Sequence, residues 1–209
     1  MYAPAITPAA EYALERTFER AMGAAGRALA DMSGQEIQVV ATEVARTTSL
    51  HIIESVGGAD RLVVGVYLGI TGSLNGHAML VLQPAGARRL AALLLDGFAV
   101  PTPVSADSLE FDELEVSALQ EVGNVTIGAF LNEVGRHLDE PVHPTVPVAI
   151  ADMAGAILDG VLADLTMDSD ELLAAHTSFI NNGDTIEGAV LVMPHRESLQ
   201  VLTAALGAG

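Results

Sequence analysis

The chain has 209 residues and carries 27 acidic side chains against nine basic ones, all arginine, for a formal net charge of −18. That surplus excludes the usual nucleic-acid binders, which need a basic patch to displace counterions, and it argues against docking on anionic lipid. With no cysteine, thiolate nucleophiles, CxxC redox pairs and thiolate zinc sites are excluded, and a chain this long builds its core without disulfides.

Residues 9 to 32 read as a helix, because Leu14, Phe18, Ala21, Ala25 and Leu29 recur at helical spacing before Ser33-Gly34. EIQVVATEV reads as a strand, and a short helix follows from Thr48 to Val56, closed by Gly57-Gly58. RLVVGVYLGI and HAMLVL are β-rich runs joined by TGSLNG, a hairpin signal. Pro84 opens a helix that Gly97 stops, and residues 98–108, with two prolines and no periodicity, read as a linker.

The second half repeats this order. A long helix is expected over about Leu109 to Leu138, then an extended stretch from Val142 to Ile150 around its prolines. DMAGAILDGVLADL is amphipathic, with Met153, Ile157, Val161 and Leu165 at steps of four. LLAAHTSFI and EGAVLVM form a strand pair across an Asn-Gly turn, and Pro194 is expected to open the last helix as Pro84 does. HAMLVLQP and GAVLVMP match closely. The expectation is an α/β (α+β) fold in which an α-β-α-β-β-α unit is duplicated, a first repeat over 9–97 and a second over 109–209. The halves share one mixed sheet in a pseudo-twofold domain, since the three strands expected of each half make a thin sheet on their own.

The acidity reads first as solubility, and a salt-loaded cytoplasm or a GC-rich genome would also account for it. MYAPAITPAAEY lacks the basic and apolar segments of a secretion signal, and no apolar run reaches the ~18–20 residues of a bilayer span, so a cytoplasmic protein is expected. GxSxG, P-loop, GxGxxG and HExxH motifs are absent, and the six scattered histidines read as structural rather than metal ligands. Asn124-Val125-Thr126 fits a glycosylation sequon but falls in an expected helix.

Residues 113–138, ELEVSALQEVGNVTIGAFLNEVGRHL, carry the chemistry. Leu119, Val122, Phe130, Val134 and Leu138 define a buried stripe, while Ser117, Glu121, Asn124 and Gly128 share a stripe of their own. Two glycines and an asparagine inside one helix cost up to about 1 kcal/mol each relative to alanine, a local violation of the kind functional sites show. A solvated helix face remains the bland reading of the same residues.

Ser117-x3-Glu121-x2-Asn124, followed after 22 residues by Pro147, resembles the full signature of the CheC/CheX/FliY phosphatases of chemotaxis. EVGNVTIGAFLNEVG also looks like that family's Glu-Ile-Gly-Asn helix. The resemblance implies removal of phosphate from the aspartyl phosphate of a CheY-type response regulator. In it, Asn124 orients the attacking water, Glu121 docks the regulator through a cationic side chain, and Ser117 and Pro147 support the site. It implies no cofactor of the chain's own, with Mg2+ belonging to the partner regulator. Aligning the opening helices sets Glu15, Glu19 and Met22 against Ser117, Glu121 and Asn124. Methionine cannot orient a water, so the first site is expected to be degenerate. The alternative is a non-catalytic adaptor that binds the deamidase CheD or the flagellar motor switch.

Overall fold

The computed structural model describes residues 7–95, 108–164 and 171–207. Gly97, Leu165 and the expected linker apart from Ser108 lie outside these residues. In chain order come α1 (Pro8–Ser33), β1 (Gln38–Thr48), α2 (Ser49–Ser55), β2 (Leu62–Gly72), β3 (Gly76–Leu82) and α3 (Pro84–Leu94). The second half supplies α4 (Glu113–Leu138), β4 (Val142–Pro144), β5 (Val148–Met153), α5 (Ala154–Asp164), β6 (Glu171–Asn181), β7 (Asp184–Pro194) and α6 (Arg196–Gly207).

All seven strands form one sheet in the order β1-β6-β7-β3-β2-β4, with β5 also paired to β2. The order reads the same from either end once first-half and second-half strands are exchanged, so a pseudo-twofold passes between β3 and β7. The first strand of each half pairs with the other half: β1 lies on β6, and β4 and β5 lie on β2. The duplication and the shared sheet agree with the sequence reading, but the sheet is antiparallel at every pairing rather than mixed. A twofold normal to the sheet makes the mates β3 and β7 antiparallel and hairpins do the same for β2–β3 and β6–β7, while the outer strands β1, β4 and β5 also run against their neighbours.

Alternating side chains serve two layers. Val64, Val66, Leu68 and Ile70 of β2, with Ala78, Leu80 and Leu82 of β3, meet α1, α3, α4 and α6. Val63, Met79, Val81 and Leu191 face the other way, toward α2 and α5. Phe18 of α1 and Phe130 of α4 pack as tilted rings with centroids 4.4 Å apart, and Thr17 Oγ1 lies 3.0 Å from His137 Nε2 across the same helix pair.

Three boundaries differ from expectation. Met153, expected on an amphipathic helix with Ile157 and Val161, ends β5 and is exposed, so that α5 begins at Ala154. The other two lie at α4 and α6. The long helix starts at Glu113 rather than near Leu109, because Asp112 and Glu115 form a reciprocal capping box that ends the preceding extended segment. Arg88 secures that segment, donating to Ser108 O at 3.0 Å and Glu110 O at 2.6 Å, lying over Phe111, and pairing with Glu115 at 3.3 Å. Pro194 ends β7 opposite Gly76 instead of opening a helix, and α6 begins two residues later at Arg196. Proline suits both a strand end and a first helical turn, and here the ladder to β3 decides.

Candidate functional site

The capping box and Arg88 fix where α4 begins, and its packing fixes how it is rotated. Val122, Gly123, Thr126, Ile127, Phe130 and Leu131 are buried. A Cβ on Gly123 would stand 2.4 Å from Val66 Cγ1, so this glycine allows the helix to lie directly on β2. Burying that side turns Ser117, Glu121, Asn124 and Gly128 outward, within about 60° of one another at 100° per residue. Ser117 is exposed, Glu121 and Asn124 are half-buried, and a Cβ on Gly128 would meet nothing within 4 Å. The two glycines therefore answer different needs, close approach to the sheet and an open outer surface. Thr126 is fully buried, which closes the tripeptide beginning at Asn124 to glycosylation.

Among the described residues, the side chains of Ser117, Glu121 and Asn124 have no hydrogen-bond or ion-pair partner. Some other helix acids are occupied, Glu19 by Arg16, Glu115 by Arg88 and Glu133 by Arg136, while Glu15 and Glu113 are as open as Glu121. A carboxylate and a carboxamide one turn apart, both unengaged, present an acceptor-only charge beside a group that donates and accepts.

Pro147 lies in the interruption between β4 and β5. There the register on β2 slips, so Thr145, Val146 and Pro147 stand opposite only Leu68 and Gly69. This one-residue bulge is held by backbone and side chain together. Thr145 N–H donates to Gly69 O at 2.9 Å, Gly69 N–H donates to Thr145 Oγ1 at 2.8 Å, and Gln120 Nε2 donates to Pro147 O at 3.1 Å. Gln120 precedes Asn124 by one turn of α4, so the structure brings Pro147 to the helix that bears Ser117, Glu121 and Asn124. Sequence reasoning passed over Gln120 and Thr145; the only cue was a polar residue four before Asn124 and another two before Pro147.

The first half is arranged differently, and one sequence pairing needs correction. Met22 is fully buried among core residues, on another face of α1 from the exposed Glu15 and Glu19. The buried pairs Thr17/Phe18, Ala21/Met22 and Ala25/Gly26 come into phase with Val122/Gly123, Thr126/Ile127 and Phe130/Leu131 at an offset of 105 residues, where the helix ends also coincide. The sequence alignment set Glu19 against Glu121, a slip of three residues that turns the compared face by about 60°. In phase, Tyr12, Arg16, Glu19 and Thr42 occupy the places of Ser117, Glu121, Asn124 and Pro147. Arg16 and Glu19 pair with each other. No glutamate–asparagine pair stands on this face of α1.

Elsewhere, Tyr67 OH lies 2.5 Å from His77 Nδ1, and the His77 and His195 rings are 5.7 Å apart. Tyr67 also borders a cavity of about 310 Å³ with Ile150, Asp152 and Ile157, on the α5 side of the sheet, away from α4. Among the described residues no group of three or more His, Asp or Glu side chains is placed to hold a metal. No helix there is long and apolar enough to cross a membrane.

No family model matches the chain. It is 24% identical to the CheY-P phosphatase CheC of Bacillus subtilis (strain 168) over 160 residues, 76% of this chain and 75% of that protein. FliY of Thermotoga maritima superposes with a TM-score of 0.72 at 17% identity, covering 97% of this chain and 100% of that one. In sequence and in fold the chain is thus similar to proteins of the CheC/CheX/FliY family. The shared fold extends to CheX of Borrelia burgdorferi, solved in complex with CheY, BeF3 and Mg2+, at a TM-score of 0.51 and 18% identity over 86% of this chain and 97% of that one.

Proposed function

We propose that this chain hydrolyses the aspartyl phosphate of a CheY-type response regulator, using the face of α4 and not the matching face of α1. The observation that carries the reading is the unengaged pair Glu121 and Asn124 on the open face of α4, with Pro147 held beside them. An acyl phosphate is already activated, so hydrolysis needs chiefly a water held in line with phosphorus. The Asn124 carboxamide oxygen accepts a hydrogen bond from that water and directs it, and it does so without changing ionisation. Water oxygen bonds to phosphorus, the bond to the aspartyl oxygen breaks, the regulator's carboxylate leaves with the bonding pair, and the water's protons stay on the released phosphate. Glu121, one turn earlier, pairs with a cationic side chain of the regulator and sets how far Asn124 enters its site. Ser117 and Pro147 shape the approach. Mg2+ held by the regulator neutralises phosphoryl charge.

The test is phosphate release from a CheY-type regulator treated with acetyl phosphate, measured with the wild type and with Asn124→Ala. The wild type should accelerate release and the variant should not. Equal release by both proteins would sink the catalytic reading. Binding to the regulator, or to a CheD-like protein, without any acceleration would favour the adaptor alternative.

A further inference from the structure

The bulge between β4 and β5 displays an apolar side chain where a connecting turn usually shows a polar one. Val146 is 82% exposed, yet the backbone on both sides of it is tied, by Thr145 to Gly69 and by Pro147 to Gln120. Leu114, 53% exposed, lies one turn before Ser117 on the outer side of α4. Gln120 thus links the turn that carries Val146 to the helix that carries Leu114 and the unengaged Glu121 and Asn124. Bulges that re-aim a side chain occur next to active sites, and an apolar group fixed in place loses little entropy when a partner covers it.

We propose that Val146 is a docking contact for the phosphorylated regulator, and that Gln120 is a positioning residue that holds the turn bearing it. The proposal rests on the phosphatase reading above for the identity of the partner. It assigns to Gln120 a donor's role toward Pro147 O, and none in directing water. The surface offered is an apolar tip beside a carboxylate, which fits a regulator face presenting a small apolar patch next to its cationic side chain.

Two readouts test it: steady-state phosphate release, and the Kd for the regulator held in its phosphorylated form by beryllofluoride. Val146→Ser should raise KM and Kd by about five- to tenfold, the scale of one lost aliphatic contact, with kcat within about twofold and the melting temperature unchanged. Gln120→Glu places an acceptor against the Pro147 carbonyl and should show the same pattern. Gln120→Lys keeps a donor and should stay near the wild type, which a role for the carboxamide in water positioning would not allow. Unchanged Kd in both Val146→Ser and Gln120→Glu would overturn the proposal, as would a loss of kcat in Gln120→Lys. A wild type that binds without turnover overturns the phosphatase reading alone, because the Kd comparison still decides the docking role. A wild type that neither binds nor turns over overturns both.

Discussion

The two halves share a topology and differ in what they show to solvent. Each places a 26-residue helix over the sheet and follows it with a strand that carries a one-residue bulge. On α1 the outward residues Arg16 and Glu19 satisfy each other, and the bulge of β1 displays Glu43, at φ 50° and 3.7 Å from His176. On α4 the outward residues Glu121 and Asn124 are unengaged, and the bulge displays Val146 and Pro147. Duplication preserved the packing code and left the surface free to diverge. Where α4 leaves its outward polar pair open, α1 closes its own in an internal ion pair.

The inward faces differ as well. At the offset that aligns the helix ends, Gly123 stands where α1 has Phe18, and Phe130 stands where α1 has Ala25. The aromatic bulk that packs the helix pair has moved along the helix, and α4 sits tight on β2 at Gly123. Gly123→Val should therefore give the largest effect, lowering the melting temperature by roughly 5–10 °C through overpacking against Val66. A wild-type melt would mean that α4 is not seated as described.

Asn124→Ala should slow phosphate release at least about tenfold, equivalent to ~1.4 kcal/mol of lost transition-state positioning, with an unchanged thermal melt. Glu121→Ala should raise KM for the phosphorylated regulator by about three- to tenfold. The gap from the wild type should narrow as salt is added, because ionic strength screens the pair that only the wild type makes. If the gap is independent of salt, Glu121 has no cationic partner. Gly128→Ala should stabilise the fold by up to ~1 kcal/mol, since its Cβ enters open space and alanine favours helix. A lower release rate in the same variant would show that the partner approaches the helix backbone there.

The smallest expected effect probes the comparison directly. Arg16→Glu with Glu19→Asn, placed on the Asn124→Ala background, writes the glutamate–asparagine spacing onto α1. Release should stay at the Asn124→Ala level, because the strand beside α1 still presents Ala41 and Thr42 in place of Val146 and Pro147. Recovery by more than about twofold would show that the helix motif suffices without its bulge.

Helices α1 and α4, the Asn-Gly hairpin and the duplication were legible from local signals: periodic apolar residues, turn residues and a repeated strand. The stripe of Ser117, Glu121 and Asn124 was legible for the same reason, since helical periodicity alone places those positions together. Three features were not. The start of α4 depended on the Asp112–Glu115 capping box and on Arg88 from another helix. Pro194 could serve a strand end or a helix start until its partner Gly76 was known. The pairing of Met22 with Asn124 failed because only burial fixes the rotational phase of one helix relative to another.

The sequence by itself determined the elements, the internal repeat, the acidic surface and the order Ser117, Glu121, Asn124, Pro147 along the chain, because these are local properties of composition and period. Only the tertiary structure decided that the sheet is antiparallel throughout, that each half's first strand completes the other's sheet, and that Gln120 brings Pro147 to the helix of Asn124. Those are contacts between residues distant in the chain. They follow from twofold packing and from hydrogen bonds across the β4–β5 bulge, which no local pattern encodes.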